Sequence, residues 1–364
     1  MNMQYKQYGK TGKKVSVIGF GGMRFGNPGN IEESAEIVLR AHEKGINYFD
    51  TAPVYCGDNS EDIFGTAFKH MERSSYFVST KSSKASGSKL RADMEKSLRR
   101  LGVDKIDFYH IWCLLTLENW ELRKEKGAVR EALKAKEEGL VDHVVLSSHL
   151  KGEDLAAVLD EGFFEGVTLG YCAFNFPYRE KAVEKAGKLG LGVVTMNPLG
   201  GGLIPGNPDR FSFLKTENDR SVVEAALRFN VSNPNITCAL VGFSNKDQVD
   251  EAVSAVENFV PYPEDQIGKI KDHIIESFDG ICTGCGYCMP CPSGVNIPQM
   301  MDVYNRKILE GKDPRHMLER LQWHWSKSAS HAALCTECGV CETRCTQKLP
   351  IQERLKEIAS LDKG

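Results

Sequence analysis

Short apolar, β-branched runs alternate along the chain with stretches whose apolar residues recur at helical spacing. VSVIGF precedes an amphipathic segment at about 33–44, and INYFD precedes one at about 61–71. SYFVSTK and KIDFYHI follow. Beyond them, helical segments near 129–138, 154–159, 179–189 and 221–230 lead into HVVLSS, GVTLGYC, LGVVTMN and TCALVGF, and a last one spans about 246–257. Eight such strand–helix units predict an α/β fold, a closed parallel (β/α)8 TIM barrel. In the opening YKQYGKTGKKVSVIGF, the turn GKTGKK between two extended runs predicts a hairpin capping the barrel's bottom.

Composition shifts after Val260, where VPYPED carries two prolines and IGKIKDHIIESF reads as one amphipathic helix. The expected division is a barrel over 1–260, a linker and helix over 261–278, and a separate module over 279–364. A chain of 364 residues accommodates a barrel of about 250 residues plus a small domain. The net charge of -3 lacks the basic excess that steers proteins to nucleic acid or anionic membranes, so neither is an expected partner. No apolar run approaches the roughly 20 residues of a membrane helix, and MNMQYKQYGKTGKK lacks the apolar core of a secretion signal. The expected location is cytoplasmic.

Of twelve cysteines, eight fall into two compact runs. Cys282, Cys285, Cys288 and Cys291, followed by Pro292, form C-x2-C-x2-C-x2-C-P; Cys335, Cys338, Cys341 and Cys345 form C-x2-C-x2-C-x3-C. Zinc knuckles put a long spacer between two C-x2-C pairs, whereas these thiols crowd together as the ligands of cubane clusters do. The runs therefore predict two 4Fe-4S clusters. In two-cluster ferredoxins the fourth cysteine of each run ligates the other cluster. The first run is one residue short of the usual ferredoxin spacing, and Thr346 stands where a proline normally follows the second. Between the runs, MMDVYNRKILEG and PRHMLERLQWHWSKS read as helices, which predicts a helical ferredoxin-like domain. The scattered Cys56, Cys113, Cys172 and Cys238 read as core residues.

Catalytic groups of such barrels stand at the C-terminal ends of strands. Asp50 ends INYFD, Tyr55 lies in the next loop, and Lys81 ends SYFVSTK. A tyrosine of ordinary pKa near 10 is a poor acid at neutral pH unless a cation lowers it, and Lys81, oriented by Asp50, would supply that cation. With FDTAPVYCGDNSEDIFG and IGFGGMR, these residues make the region from 5 to about 257 resemble an aldo-keto reductase. CTGCGYCMPCPSGVNIP further resembles a subfamily in which an iron–sulfur domain follows the barrel.

The resemblance implies hydride transfer between NADPH and a carbonyl, assisted by an Asp, Tyr, Lys and His tetrad whose first three members are Asp50, Tyr55 and Lys81. The family's D-x-Y-x-x-H motif meets Trp112 at its histidine position. His110 lies about 6.6 Å further down the strand. His149, after HVVLSS, is the better-placed histidine and the expected fourth catalytic residue. Cofactor contacts implied by the family fall on Gly22, Met23, Ser147, Ser148, Tyr171, Gly242, Ser244, Gln248 and Glu251. Tyr171 replaces an amide side chain, Gln248 an arginine that often meets the 2′-phosphate, and Ala252 an adenine-contacting asparagine.

The expected function is an iron–sulfur oxidoreductase acting on a small carbonyl or alcohol, with ferredoxin or another electron carrier as partner. Clusters pass single electrons and nicotinamides pass hydride, so a ferredoxin-fed reductase without nicotinamide is one alternative. A non-catalytic redox sensor or electron-transfer adaptor is another. The stretch LTLENWELRKEKG is expected as a loop lining the substrate pocket.

Overall fold

The computed structural model describes residues 3–257, 259–277, 280–309 and 313–361. A two-stranded antiparallel hairpin, β1 (Tyr5–Gln7) and β2 (Lys14–Ser16), opens the chain. Eight parallel strands then close a barrel: β3 (Ile18–Gly21), β4 (Tyr48–Asp50), β5 (Phe77–Ser82), β6 (Ile106–Leu114), β7 (Val141–Ser148), β8 (Gly166–Gly170), β9 (Gly192–Met196) and β10 (Cys238–Val241). β10 pairs with β3 to complete the ring. The expected barrel and its bottom hairpin are both present.

Side-chain alternation sorts the strand residues into two environments. Tyr48, Phe77 and Phe108 form an aromatic layer with Tyr8, which the hairpin inserts from below. That plug demands glycine opposite it: a Cβ at Gly192 would stand 2.1 Å from the Tyr8 ring. Two residues further along the same strands stand Asp50, Ser79 and His110, and after them Lys81 and Trp112. The bottom of the barrel interior is thus apolar and the top polar.

Two helices depart from expectation. Gly87–Leu101 lies between β5 and β6, where no helix is expected, and buries Leu90, Met94, Ser97 and Leu101 in a single stripe. Leu117–Glu125 occupies the expected loop, capped by Thr116 and burying only Trp120 and Arg123.

Helix Glu264–Ser277 follows the linker. The cysteine segments then alternate with helices Ile297–Leu309, Pro314–Glu319 (continuing through a π turn at Arg320–His324), Val340–Arg344 and Ile351–Ser360. The ends of two expected helices, residue 278 and residues 310 and 311, lie outside the described residues. The module has its own core, built around Met300, Met301, Met317, Leu321, Leu355 and Ile358.

The module rests on the C-terminal mouth of the barrel. Arg179 donates to the backbone oxygens of Leu150 and Thr346, and Lys348 Nζ to Leu115 O at 3.3 Å. At Gly201, whose φ is +68°, a Cβ would stand 2.8 Å from Thr283 O. A crevice opens along this seam between Arg179 and Lys348, away from Tyr55.

Candidate functional site

The polar layer is organised around one buried ion pair. Lys81 Nζ lies 2.5 Å from Asp50 Oδ1 and 2.6 Å from Thr51 O, with side chains only 3% and 4% exposed. Below it, Ser79 Oγ donates to Asp50 Oδ2 at 2.6 Å and lies 2.8 Å from His110 Nε2. His110 is therefore closer to the chemistry than its position down the strand implies: Ser79 links it to Asp50. Burial and the Lys81 charge push its pKa well below the ordinary histidine value, so it is neutral.

Tyr55 sits above the pair on a loop with left-handed backbone at Val54 (φ +68°), Cys56 (φ +55°) and Asp58 (φ +73°), none of them glycine. Such conformations persist only where surroundings impose them. Here Asp58 Oδ1 accepts from Val54 N at 3.1 Å and from Arg100 Nη1 at 2.7 Å. Arg100 belongs to the unexpected helix Gly87–Leu101, so that helix holds the tyrosine loop in place. Lys81 Nζ stands 5.2 Å from the centre of the Tyr55 ring. The expected lowering of the phenol by Lys81 is not what this arrangement gives: burial first, then the Asp50 charge, push the Tyr55 pKa well up. Tyr55 therefore holds its proton at neutral pH as a neutral phenol.

Trp112 meets the Tyr55 ring edge to face, with centroids 5.6 Å apart and planes at 88°. A bulge between Ile111 and Leu114, with Cys113 at φ +62°, sets its direction. Arg123 Nη1 donates to Trp112 O at 2.5 Å, so helix Leu117–Glu125 braces it.

His149 is 4% exposed, and its Nε2 has no hydrogen-bond partner. Burial and the charges of Arg179 and Lys348 lower its pKa to about 3. The linkage sign follows. Above the unfolded value near 6.5 both states are neutral; as pH falls from there towards 3, the unfolded chain binds a proton that the folded one refuses, and stability is lost. Urea midpoints at pH 7 and pH 5 are expected to show the parent losing up to about 2 kcal/mol more than His149→Gln. Equal losses would show that His149 titrates alike in both states.

The fourth wall of this space comes from the module. Tyr287, between Cys285 and Cys288, places its ring 5.2 Å from that of His149 and lies beside Cys113. It also lies within electrostatic range of Tyr55. Nothing local in the sequence marks Tyr287, Cys113 or Arg100 for these roles. The inward parity of Trp112 was readable from the strand alternation.

These features place a proton-bearing tyrosine, a buried lysine–aspartate pair and an aromatic wall at the top of a (β/α)8 barrel. A model of the aldo/keto reductase family matches residues 17–275, well over half of the chain. The protein belongs to the aldo/keto reductase family. A 4Fe-4S dicluster domain matches residues 281–350, C-terminal to it. L-galactose dehydrogenase of Arabidopsis thaliana is 29% identical, over 72% of this chain and 91% of its own. A probable voltage-gated potassium channel subunit beta from the same plant is 25% identical, over 70% and 92%. In fold, the barrel is similar to the holo form of aldo-keto reductase AKR11C1 from Bacillus halodurans, with a TM-score of 0.64, 24% identity, and coverage of 74% of this chain and 96% of that one. The reductase is an oxidoreductase by family, and among its described residues no helix is long and apolar enough to cross a membrane.

A groove of about 900 Å³ beside β10 is lined by Arg24, Asn197, Gly242, Ser244, Gln248 and Glu251, among others. It fits the phosphate end of a dinucleotide: a helix N-terminus and a cation face it. Its own side chains occupy two of the amides, however. Gln248 Oε1 accepts from Ser244 N at 2.8 Å, and Asn245 Oδ1 from Gln248 N at 3.0 Å. Glu251 accepts from Ser221 Oγ at 3.2 Å.

The other expected contacts are scattered. Gly22 is buried, its N–H bonded to Asp50 O at 2.8 Å, while Met23 is exposed. Ser147 is buried at the end of β7, and Ser148 caps the next turn through Leu150 N. Tyr171, expected among the cofactor contacts, turns away from the barrel interior. Parity in β8 sends Val167, Leu169 and Tyr171 outward, and Tyr171 stacks on Phe229 with its hydroxyl accepting from Asn233 Nδ2 at 3.3 Å.

In the module the eight run cysteines line two adjacent pockets. Cys282, Cys285 and Cys288 face one together with Cys345; Cys335, Cys338 and Cys341 face the other together with Cys291, and Cys288 borders both. The fourth cysteine of each run thus crosses to the other pocket. Among the described residues, no three His, Cys, Asp or Glu side chains converge closely enough for a single metal ion. Burial, followed by neighbouring thiols, pushes Cys282 and Cys288 up to about 12. Four thiolates persist in such a place only around positive charge, which is what iron supplies. The residues fit cubane clusters.

Proposed function

We propose that this aldo/keto reductase interconverts a small carbonyl compound and its alcohol, with Tyr55 giving a proton to the carbonyl oxygen and taking it back in the reverse direction. The observation that carries the reading is the buried Lys81–Asp50 pair beneath the Tyr55 ring. Lys81 presents positive charge where the substrate oxygen becomes negative, and Asp50 keeps that charge in place against the cost of burial. Neutral His149 orients the oxygen by hydrogen bonding, its unpartnered Nε2 being free for the purpose. Trp112, Cys113 and Tyr287 exclude water.

NADPH, when bound, supplies hydride, and two 4Fe-4S clusters, one per cysteine quartet, supply or accept single electrons. Arg24, Gly242, Ser244, Gln248 and Glu251 would hold the nucleotide, with Gln248 turning away from Ser244 N. Ferredoxin or a similar carrier would be the electron partner. The L-galactose dehydrogenase relative makes sugar carbonyls the first substrates to try.

A second reading, a ferredoxin-fed reductase without nicotinamide, is favoured by the outward-facing Tyr171 and the self-satisfied Ser244 amide. Titration of the anaerobically purified protein with NADPH and NADH, following nucleotide fluorescence and cluster absorbance together, separates the two. Saturable NADPH binding is expected, with cluster bleaching if electrons cross between the domains. No binding at millimolar nucleotide in protein fully loaded with iron and sulfide would overturn the nicotinamide assignment and favour the second reading.

A further inference from the structure

Thr346, the residue that stands in the place of the usual proline, is 1% exposed and takes part in the surroundings of one cysteine quartet. Its hydroxyl lies 3.3 Å from Cys285 Sγ and accepts from Gln347 Nε2 at 3.4 Å. A thiolate only accepts hydrogen bonds, so once Cys285 is a ligand the hydroxyl is the donor. A proline has no such group. The Thr346 carbonyl in turn accepts from Arg179 Nη2 at 2.6 Å, which anchors a buried guanidinium beside the quartet.

The two quartets differ in what surrounds them. At the barrel-side quartet Gly284 N donates to Cys282 Sγ and Leu349 N to Cys345 Sγ, both at 3.4 Å, in addition to the Thr346 contact. At the outer quartet Glu337 N donates to Cys335 Sγ at 3.4 Å. Arg179 and Lys348 both act on Cys345 by charge. Around the outer quartet Glu342 acts on Cys341, and Lys356, the nearby cation, is paired with Glu337 at 2.8 Å. Reduction adds a negative charge to a cluster, so donors to sulfur and fixed cations favour the reduced form. Solvent around the exposed Cys338 acts in the same sense on the outer cluster. A fixed, buried guanidinium is screened far less than a surface charge and acts on the barrel-side cluster alone.

We propose that Thr346, Arg179 and Lys348 hold the barrel-side cluster at a higher potential than the outer one, so that electrons entering at the exposed Cys338 edge settle beside Tyr287 and the reaction pocket. The proposal rests on the reading that each quartet holds one 4Fe-4S cluster. Each step moves one electron, first from a reduced one-electron carrier to the outer cluster and then inward; no bond is made or broken. The three side chains act through the sulfurs and are positioning residues.

The test is a redox titration monitored by electron paramagnetic resonance on the full, anaerobically loaded chain. The parent is expected to show two one-electron couples. Thr346→Val should lower the higher one by on the order of tenfold in its reduction equilibrium, about 59 mV, and leave the lower one unmoved. Lys348→Gln should move the same couple with unchanged iron content, and Glu342→Gln should raise only the lower couple. If Thr346→Val and Lys348→Gln shift the lower couple, or neither couple, the polarity is wrong. Iron and sulfide for fewer than two clusters would instead overturn the reading beneath the proposal, and the proposal with it.

Discussion

Tyr55→Phe is expected to lower kcat by about 10²–10⁴-fold, the usual contribution of a positioned acid–base group, while iron and sulfide content stay at the parental level. The variant removes only the hydroxyl. Its ring keeps the edge contact with Trp112 and the approach of Lys81, and the left-handed loop is held by Asp58 and Arg100 rather than by the phenol. Anaerobic turnover of an aldehyde or its alcohol, with iron assayed on the same sample, is the measurement. A rate within threefold of the parent would remove Tyr55 from the chemistry. In that event, turnover persisting in the parent would point to the ferredoxin-fed reading, and absence of turnover in both to a sensor or adaptor.

Lys81→Met is expected to be costly in a different way. It leaves the Asp50 carboxylate buried with Ser79 as its nearest donor, and breaking a buried pair from one side typically costs about 3–5 kcal/mol. Asp50→Leu combined with Lys81→Met removes both charges, and the double variant should recover much of the lost stability while remaining inactive. Urea unfolding followed by tryptophan fluorescence reads the first effect and turnover the second. A single variant as stable as the parent would mean that Asp50 takes up a proton when its partner is lost, which a shift of the unfolding midpoint with pH would reveal.

The barrel was legible because its strands are apolar runs and its helices periodic. Parity along those strands also carried much of the site. Asp50, Lys81 and Trp112 all sit at inward positions that can be counted from the aromatic layer, and the same count, applied to β8, turns Tyr171 outward. Helix Gly87–Leu101 is masked in the sequence because charge dominates its composition, with Leu90, Met94 and Leu101 as its apolar stripe. Helix Leu117–Glu125 offered less, since Trp120 and Arg123 alone face inward. The cysteine spacing announced metal, and the crossing of the fourth ligand followed the ferredoxin pattern. Contacts across the seam between barrel and module were not legible. Tyr287 against His149 and Arg179 against Thr346 join residues far apart in the chain, and only the docking of the module on the barrel creates them.

Tyr287 lies between two cysteines of one quartet, so the reaction chamber has one wall fastened by metal. Loss of metal from those sulfurs is expected to loosen the segment that packs Tyr287 against His149. Iron content and closure of the pocket over Tyr55 are then expected to fall together on exposure to air, read by an iron assay and tryptophan fluorescence on the same sample.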